Sequence, residues 1–387
     1  MRFTSLSLLV AADAVLASPV ERAEKPAVVP VKHSINVKSA SGLVQRGQNR
    51  LNKINGAKSV GNSFASGPAE NDDVSYIASV KIGSHNWNLI VDTGSSNTWT
   101  GAQSSYVPYS TGSDTGGSVQ VSYGSGQFSG EEYIDTVTYG GLTVKSQSIG
   151  SAKSASGFNG VDGIFGLGPV DLTQNTVSNA NTVPTFLDNL YKQGSIPSEV
   201  LGVYFSPESG SDTNDNNGEL TLGGTDSSKY SGSINYVPTL RSGAAAPYWG
   251  VSIASFTYGS TTLASGATGI VDTGTTLIYI PSSAYSKFLS ATGGKTDSSS
   301  GLAVFTKKPT ANFSIKIGSN TYTLTPDQYL VPSAQYSVFG LTSGKYYAWI
   351  NNGGSSGVNT IIGQKFLEIY YSVYDTTNSR IGFAKAN

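Results

Sequence analysis

Leu89-Ile90-Val91-Asp92-Thr93-Gly94-Ser95-Ser96-Asn97-Thr98-Trp99 is the stretch whose reading decides the fold. Three apolar residues run into Asp-Thr-Gly and then into small polar residues. That is the pattern of a buried strand delivering a carboxylate onto a tight turn. The same wording returns at Gly269-Ile270-Val271-Asp272-Thr273-Gly274-Thr275-Thr276-Leu277, with the second aspartate 180 positions after the first. Two such strands in one chain imply two similar halves that meet at Asp92 and Asp272. Of two facing carboxyls, one can take a proton from a water while the other gives a proton to a carbonyl oxygen. Gly94 and Gly274 permit the tight turn and close backbone approach. The hydroxyls of Thr93, Ser95, Thr273 and Thr275 are expected to donate hydrogen bonds that hold the carboxyls coplanar.

A lone Asp-Thr-Gly is weak. Asp114-Thr115-Gly116 is a third copy, set among serines and glycines with no apolar run before it, and it reads as a solvated loop. Elsewhere the chain shows strands and turns. Residues 74–82 and 88–92 read as strands. Residues 119–123 alternate, turn at Gly124-Ser125-Gly126 and return through Phe128 to Val137 as a hairpin. Short helices are expected over 184–193, stopping at Gly194, and after a Ser282/Ser283 cap, stopping at Gly293. Residues 208–218 are rich in Ser, Asp, Asn and Gly and read as a mobile loop. The change from one half to the other is expected within 236–248.

The length of 387 residues allows about two domains. Charged residues make up only 13% and there are 46 glycines, which suits a β-rich chain with many turns and argues against a nucleic-acid-binding stripe. With no cysteine, disulfides, thiolate catalysis and cysteine zinc sites are excluded. His33 and His85 are the only histidines, too few and too poorly placed for a Ser-His-Asp triad. The start of the chain reads as a secretory signal over 1–17. No later apolar run reaches the length of a membrane span. Residues 18–62 then carry eight Lys/Arg against two Glu, a balance of +6, whereas 63–387 carry 15 against 22 acidic residues. A basic segment ahead of an acidic body can dock across an acidic cleft. Asn312-Phe313-Ser314 is a glycosylation acceptor pattern.

The two aspartate motifs, together with Tyr123-Gly124-Ser125-Gly126, Val161-Asp162-Gly163-Ile164 and Tyr371-Ser372-Val373-Tyr374-Asp375-Thr376-Thr377-Asn378, resemble the pepsin-type aspartic endopeptidases, the fungal ones in particular. The likeness runs from about residue 63 to the C-terminus. It implies an all-β, bilobal pepsin-like fold, with two pseudo-symmetric lobes (63–240 and 241–387) and a central substrate cleft. That family is the standing example of two carboxyls sharing one proton. The resemblance further implies a secreted, monomeric enzyme that cleaves proteins and peptides in acid without metal or cofactor. Residues 18–62 become an inhibitory propeptide, with Lys53 or Lys58 as the cation facing the two aspartates. The hairpin becomes a flap over the substrate, Tyr123 reaching the indole N–H of Trp99. The interval from Asp92 to Tyr123 is shorter than in pepsin, so a loop is trimmed. Ile90, Phe128 and Ile164 are the expected walls of the primary pocket. Ile361-Ile362-Gly363 matches Val161–Gly168 as a support behind its own aspartate loop, and Gln364 departs from the aspartate of many relatives. Ser125 stands where relatives that cut after lysine carry Asp, so apolar residues are expected before the cut bond and lysine is not. The rival reading is a catalytically silent binding or inhibitor protein on the same fold, since fold alone does not fix function.

Overall fold

In the computed structural model, residues 23–36, 39–56, 73–106, 108, 111–124, 126–208, 210 and 213–387 are described. The expected signal segment, Lys58 and Ser125 lie outside them. Most described elements are strands, held in sheets of thirteen, seven and three strands. No helix among the described residues is long and apolar enough to cross a membrane.

The first strand, β1 (Ala27–Asn36), alternates buried Val29, Val31, His33 and Ile35 with outward residues. It lies inside the large sheet, antiparallel to Gly218–Leu222 through Val29↔Leu220 and to β2 (Asp73–Ile82) through Ile35↔Val74. Next in sequence comes α1 (Ala40–Ile54), whose buried residues Ala40, Leu43, Val44, Gly47, Leu51 and Ile54 recur at helical spacing. Reading residues 18–62 for charge alone missed both elements, although the period-2 and period-3.6 patterns were there to be found.

β2 turns into β3 (His85–Asp92), which ends at the first aspartate. Leu89 and Val91 are fully buried, each contributing on the order of 2 kcal/mol of burial free energy. β3 runs parallel to Gly163–Gly166, pairing Asp92 with Gly166, and Trp99–Thr100 returns antiparallel to the same strand. The second half repeats this. Thr261–Val271 runs parallel to Val358–Ile362, pairing Val271 with Ile362, and Ile278–Ile280 returns antiparallel at Tyr279↔Ile361. The supporting strands are therefore where the sequence places them. Gly166 and Gly363 cannot carry a side chain there: a Cβ would collide with the backbone of Ser96 at one and with the Thr275 and Leu277 carbonyls at the other.

The expected hairpin is present as Ser113–Ser122 and Gln127–Tyr139. It reaches back through Asp114-Thr115-Gly116, which is strand and not loop. The segment stays exposed but is irregular, with a register shift between Asp114 and Ser118 and the Asp114 carboxylate accepting from Gly116 N–H at 2.7 Å. Both helices appear, as Phe186–Lys192 and Ser282–Thr292. Gly293 closes the second in the left-handed region at φ 65°, as expected, but Pro281 is its N-cap and Ser282 instead donates to Asn352 Oδ1 at 2.7 Å. Described residues of the 208–218 stretch are also tied down. Glu208 is buried, and the Thr213 and Asp215 carbonyls accept from the N–H groups of Ile35 and His33. The β1 backbone needs those partners, and a turn-rich composition does not show that they are supplied.

Candidate active site

The two aspartates are buried and surrounded in the same way. Gly94 N–H donates to Asp92 Oδ1 at 2.9 Å, and Gly274 N–H to Asp272 Oδ1 at 2.9 Å. Ser95 Oγ donates to Asp92 Oδ2 and Thr275 Oγ1 to Asp272 Oδ2, each at 2.5 Å. These four bonds fix each carboxyl from inside its own loop. A Cβ at Gly274 would collide with the Asp92 carboxyl, and one at Gly94 would lie 2.6 Å from Asp272 Oδ1. The glycines are thus the means by which each carboxyl approaches the opposite loop.

Thr93 and Thr273 do something other than orient carboxyls. Thr93 N–H donates to Thr273 Oγ1 at 2.9 Å, and Thr273 N–H to Thr93 Oγ1 at 3.0 Å. Thr273 Oγ1 donates on to the Val91 carbonyl at 2.9 Å, and Thr93 Oγ1 to Val271 at 3.4 Å. The two threonines cross-link the halves, while Ser95 and Thr275 alone among the four hydroxyls hold carboxyls. Gln364, fully buried, braces the second loop by donating from Nε2 to the Thr273 carbonyl at 2.8 Å.

The cation over the pair is Arg50, which sequence reading missed. Its Nη2 lies 2.9 Å from Asp92 Oδ1 and 3.3 Å from Oδ2, and its Nε 2.9 Å from Asp272 Oδ2. Lys53, one turn further along α1, points instead at the hairpin, where it donates to the Ser122 carbonyl and stands 5.6 Å from the Tyr123 ring. A planar guanidinium can bridge two carboxyls at once, whereas an ammonium is a single point charge. The phase of α1 decides between them, and the apolar spacing of the helix was the signal that could have placed Arg50 on the buried side.

Burial pushes both carboxyls toward the neutral form. At Asp92 the guanidinium, the Ser95 hydroxyl and the Gly94 N–H outweigh burial and hold the group below the usual carboxylate range. At Asp272 burial prevails over Arg50, with the neighbouring Asp92 charge adding to it, and the group is pushed up to about 6. The values belong to the pair and describe one site that readily holds a single proton.

Over the site, Tyr123 and Gly124 form the described tip of the hairpin. Tyr123 N–H donates to the Gly126 carbonyl at 2.6 Å. The tip is pressed against α1: Asn49 Nδ2 donates to the Gly124 carbonyl at 3.3 Å, and a Cβ at Gly124 would crowd the Arg46 carbonyl and Arg50. The Tyr123 and Trp99 rings lie 6.4 Å apart at 26°. The indole is near enough to bear on the Tyr123 hydroxyl, yet no hydrogen bond of normal geometry joins them. Ile90 and Ile164 do line the small cavity beside Asp92, together with Leu43, Gly47 and Phe158. Phe128 does not: it stacks on Trp99 at 4.2 Å, buried behind it, and Phe158 takes the wall, edge-on to both Trp99 and Tyr123. Asn312 is exposed at the start of Phe313–Ile317.

Residues 75–386 match the family model described as eukaryotic aspartyl protease. The chain belongs to that family. This aspartyl protease is 47% identical over 328 residues to polyporopepsin of Irpex lacteus, an alignment covering 82% of the chain and 96% of that protein. It is 31% identical to gastricsin of Cavia porcellus over 81% of each chain. The crystal structure of the aspartic proteinase from Irpex lacteus superposes with a TM-score of 0.79 at 41% identity, over 94% of this chain and 98% of that one. The bilobal pepsin-like fold and the assignment as an aspartic endopeptidase are thereby shown.

Proposed function

We propose that the protein is a secreted, acid-acting endopeptidase whose water is activated by Asp92 and Asp272. The observation that carries this is the pair itself: two buried carboxyls, each fixed by the same two hydrogen bonds from its own loop. The ionised member takes a proton from water, the hydroxide attacks the peptide carbonyl, and the protonated member gives its proton to the carbonyl oxygen. Collapse of the tetrahedral diol breaks the C–N bond as a proton passes to the leaving amine. Ile90, Ile164 and Phe158 form an apolar wall for the side chain before the cut bond. A lysine there would be desolvated without a partner, which costs several kcal/mol, roughly 10²-fold or more in rate.

Residues 18–62 act as an inhibitory propeptide on this reading. Arg50 occupies the face of the carboxyls that an attacking water needs, and α1 fills the cleft under the hairpin. The chain is made latent behind the signal at 1–17 and matures in acid. Acidifying the secreted full chain, sequencing the new N-terminus and digesting a peptide library tests this. Cleavage after Phe, Leu, Tyr or Met, blocked by a transition-state-mimicking hydroxyl compound, is expected. A well-folded, matured protein that cuts nothing would favour the silent binding protein.

A further inference from the structure

His33 and Glu208 form a second cluster of titratable groups, far from the dyad in sequence and unused by the chemistry above. His33 sits on β1 and is fully buried. Its Nδ1 lies 2.5 Å from Glu208 Oε1, whose side chain is also fully buried. The imidazole stacks on Tyr76 of β2 at 4.5 Å, and Tyr76 stacks in turn on Phe205. The charged groups facing the pair and the Tyr76 stacked on it are Asp215 from the loop after Glu208, Lys365 from the short helix Gln364–Leu367, and Glu368, the C-cap of that helix. Lys365 is already committed, donating to Glu368 at 2.7 and 3.0 Å.

His33 Nε2 and Glu208 Oε2 have no hydrogen-bond partner among the described residues. A full imidazolium would leave a charged N–H unanswered in the interior, and a full carboxylate would leave a charged oxygen so. Both are costly. The buried pair therefore holds one proton between its two groups, in the short bond. Desolvation, with Lys365 nearby, drives His33 down to about 2, and desolvation with Asp215 drives Glu208 up to about 7, in accord with a neutral pair.

We infer that His33 and Glu208 are a one-proton latch that keeps β1 in the sheet and opens in acid, separately from the Arg50 contact. This rests on reading 18–62 as a propeptide. Released into water, the two groups return to ordinary values of 6.5 and 4.5. Between these values the freed groups also hold one proton, the histidine having taken it from the glutamate, so docking is indifferent to pH there. Below about 4.5 the freed groups hold two protons and the docked pair still one. The docking constant of β1 then falls roughly tenfold per pH unit.

The test is hydrogen exchange at the β1 amides of the full chain between pH 3 and 7. Asp272→Asn in every sample prevents self-cleavage and leaves the Asp92–Arg50 pair in place. The parent should lose β1 protection below about pH 4.5. In His33→Gln only Glu208 titrates, and it holds its proton more tightly when docked, so the acid loss should vanish and protection should rise, roughly tenfold per pH unit, from pH 7 to 4.5. In Glu208→Gln only His33 titrates, so the loss should begin about two pH units higher, near 6.5. Either variant suffices if the other does not fold. An acid limb unchanged in both variants, or β1 equally protected at pH 3 and 5.5 in the parent, would overturn the inference. Failure of the propeptide reading is distinguishable. It would show as peptide cleavage by an otherwise unsubstituted chain with residues 18–62 still attached, whatever the β1 amides do.

Discussion

Thr93 and Thr273 hold the two halves together through bonds that run from one aspartate loop to the other. Replacing Thr273 by Val keeps the shape but removes the hydroxyl that accepts from Thr93 N–H and donates to the Val91 carbonyl. Thermal unfolding of the mature enzyme should show a loss of about 2–4 kcal/mol, since two buried groups are left unpaired, and kcat should fall with it. Thr273→Ser should recover most of both. Unchanged stability in the valine variant would mean the cross-link carries no weight. Arg50 admits a test in pH. Asp92 is depressed, so its share of the clasp is present above 3.8 and lost as pH falls through a still lower value. Asp272 is raised, so it takes up its proton as pH falls through about 6, leaving Arg50 one carboxylate to hold. Removing the guanidinium frees Asp92 to protonate earlier. Arg50→Met should move the onset of self-activation upward by about one pH unit or more, read as peptide cleavage by freshly diluted full chain. The aspartates and their glycines were legible because their chemistry is written in consecutive residues. Arg50 was not, because which cation reaches the site depends on the rotation of α1. Phe158 was missed because it lies in the loop after the strand Leu142–Ser156, where no alternation places it, while the face of its own strand turns Phe128 behind Trp99.

At the scale of elements, α1 is the piece whose removal would open the cleft if residues 18–62 are a propeptide, as proposed. It contacts both halves. Asn49 and Lys53 hold the hairpin, while Asn55 exchanges two 2.8 Å bonds with the Val358 backbone of the second half. Gly47 lies flat on the fully buried Tyr279 ring, whose hydroxyl donates to the Val44 carbonyl at 2.8 Å. A Cβ at that position would collide with the ring. Gly47→Ala should therefore loosen α1 and give a precursor that leaks activity near neutral pH. Enzyme matured as proposed, without this segment, should be unaffected. Equal latency in the alanine variant would show that α1 seats without close contact at Tyr279. The strands around the aspartates were readable because alternation and turn residues are local signals. α1 and β1 were hidden behind a charge count that described residues 18–62 correctly and said nothing of their periodicity.

At the scale of the whole molecule, one buried carboxyl ties stability to acid. Glu132 is 2% exposed, hydrogen-bonded through one oxygen to Ser148 with the other unpartnered, and burial pushes it up to about 7. A raised carboxyl contributes stability that is complete below its unfolded value of 4.5 and is lost as pH rises through about 7. Glu132→Gln should make the mature enzyme more stable above pH 7, by about 2–3 kcal/mol, and leave it little changed at pH 4. Denaturant midpoints at the two pH values check this, and equal shifts at both would refute it. The bilobal plan was legible because it is a repeated sentence in the sequence, Asp92 and Asp272 each with its supporting strand. The sharing of one sheet by both ends of the chain was not, since pairings such as Val373↔Gly202 join residues that no local pattern connects. The most direct test of the proposed mechanism is kcat/KM of the matured enzyme with Asp92→Asn, Asp272→Asn and both together. Each single change should cost several orders of magnitude while the fold persists, and the double should be little worse than either, because the two carboxyls act as one proton-sharing unit. A folded single variant retaining more than about a tenth of the activity, or losses that multiply in the double, would contradict it.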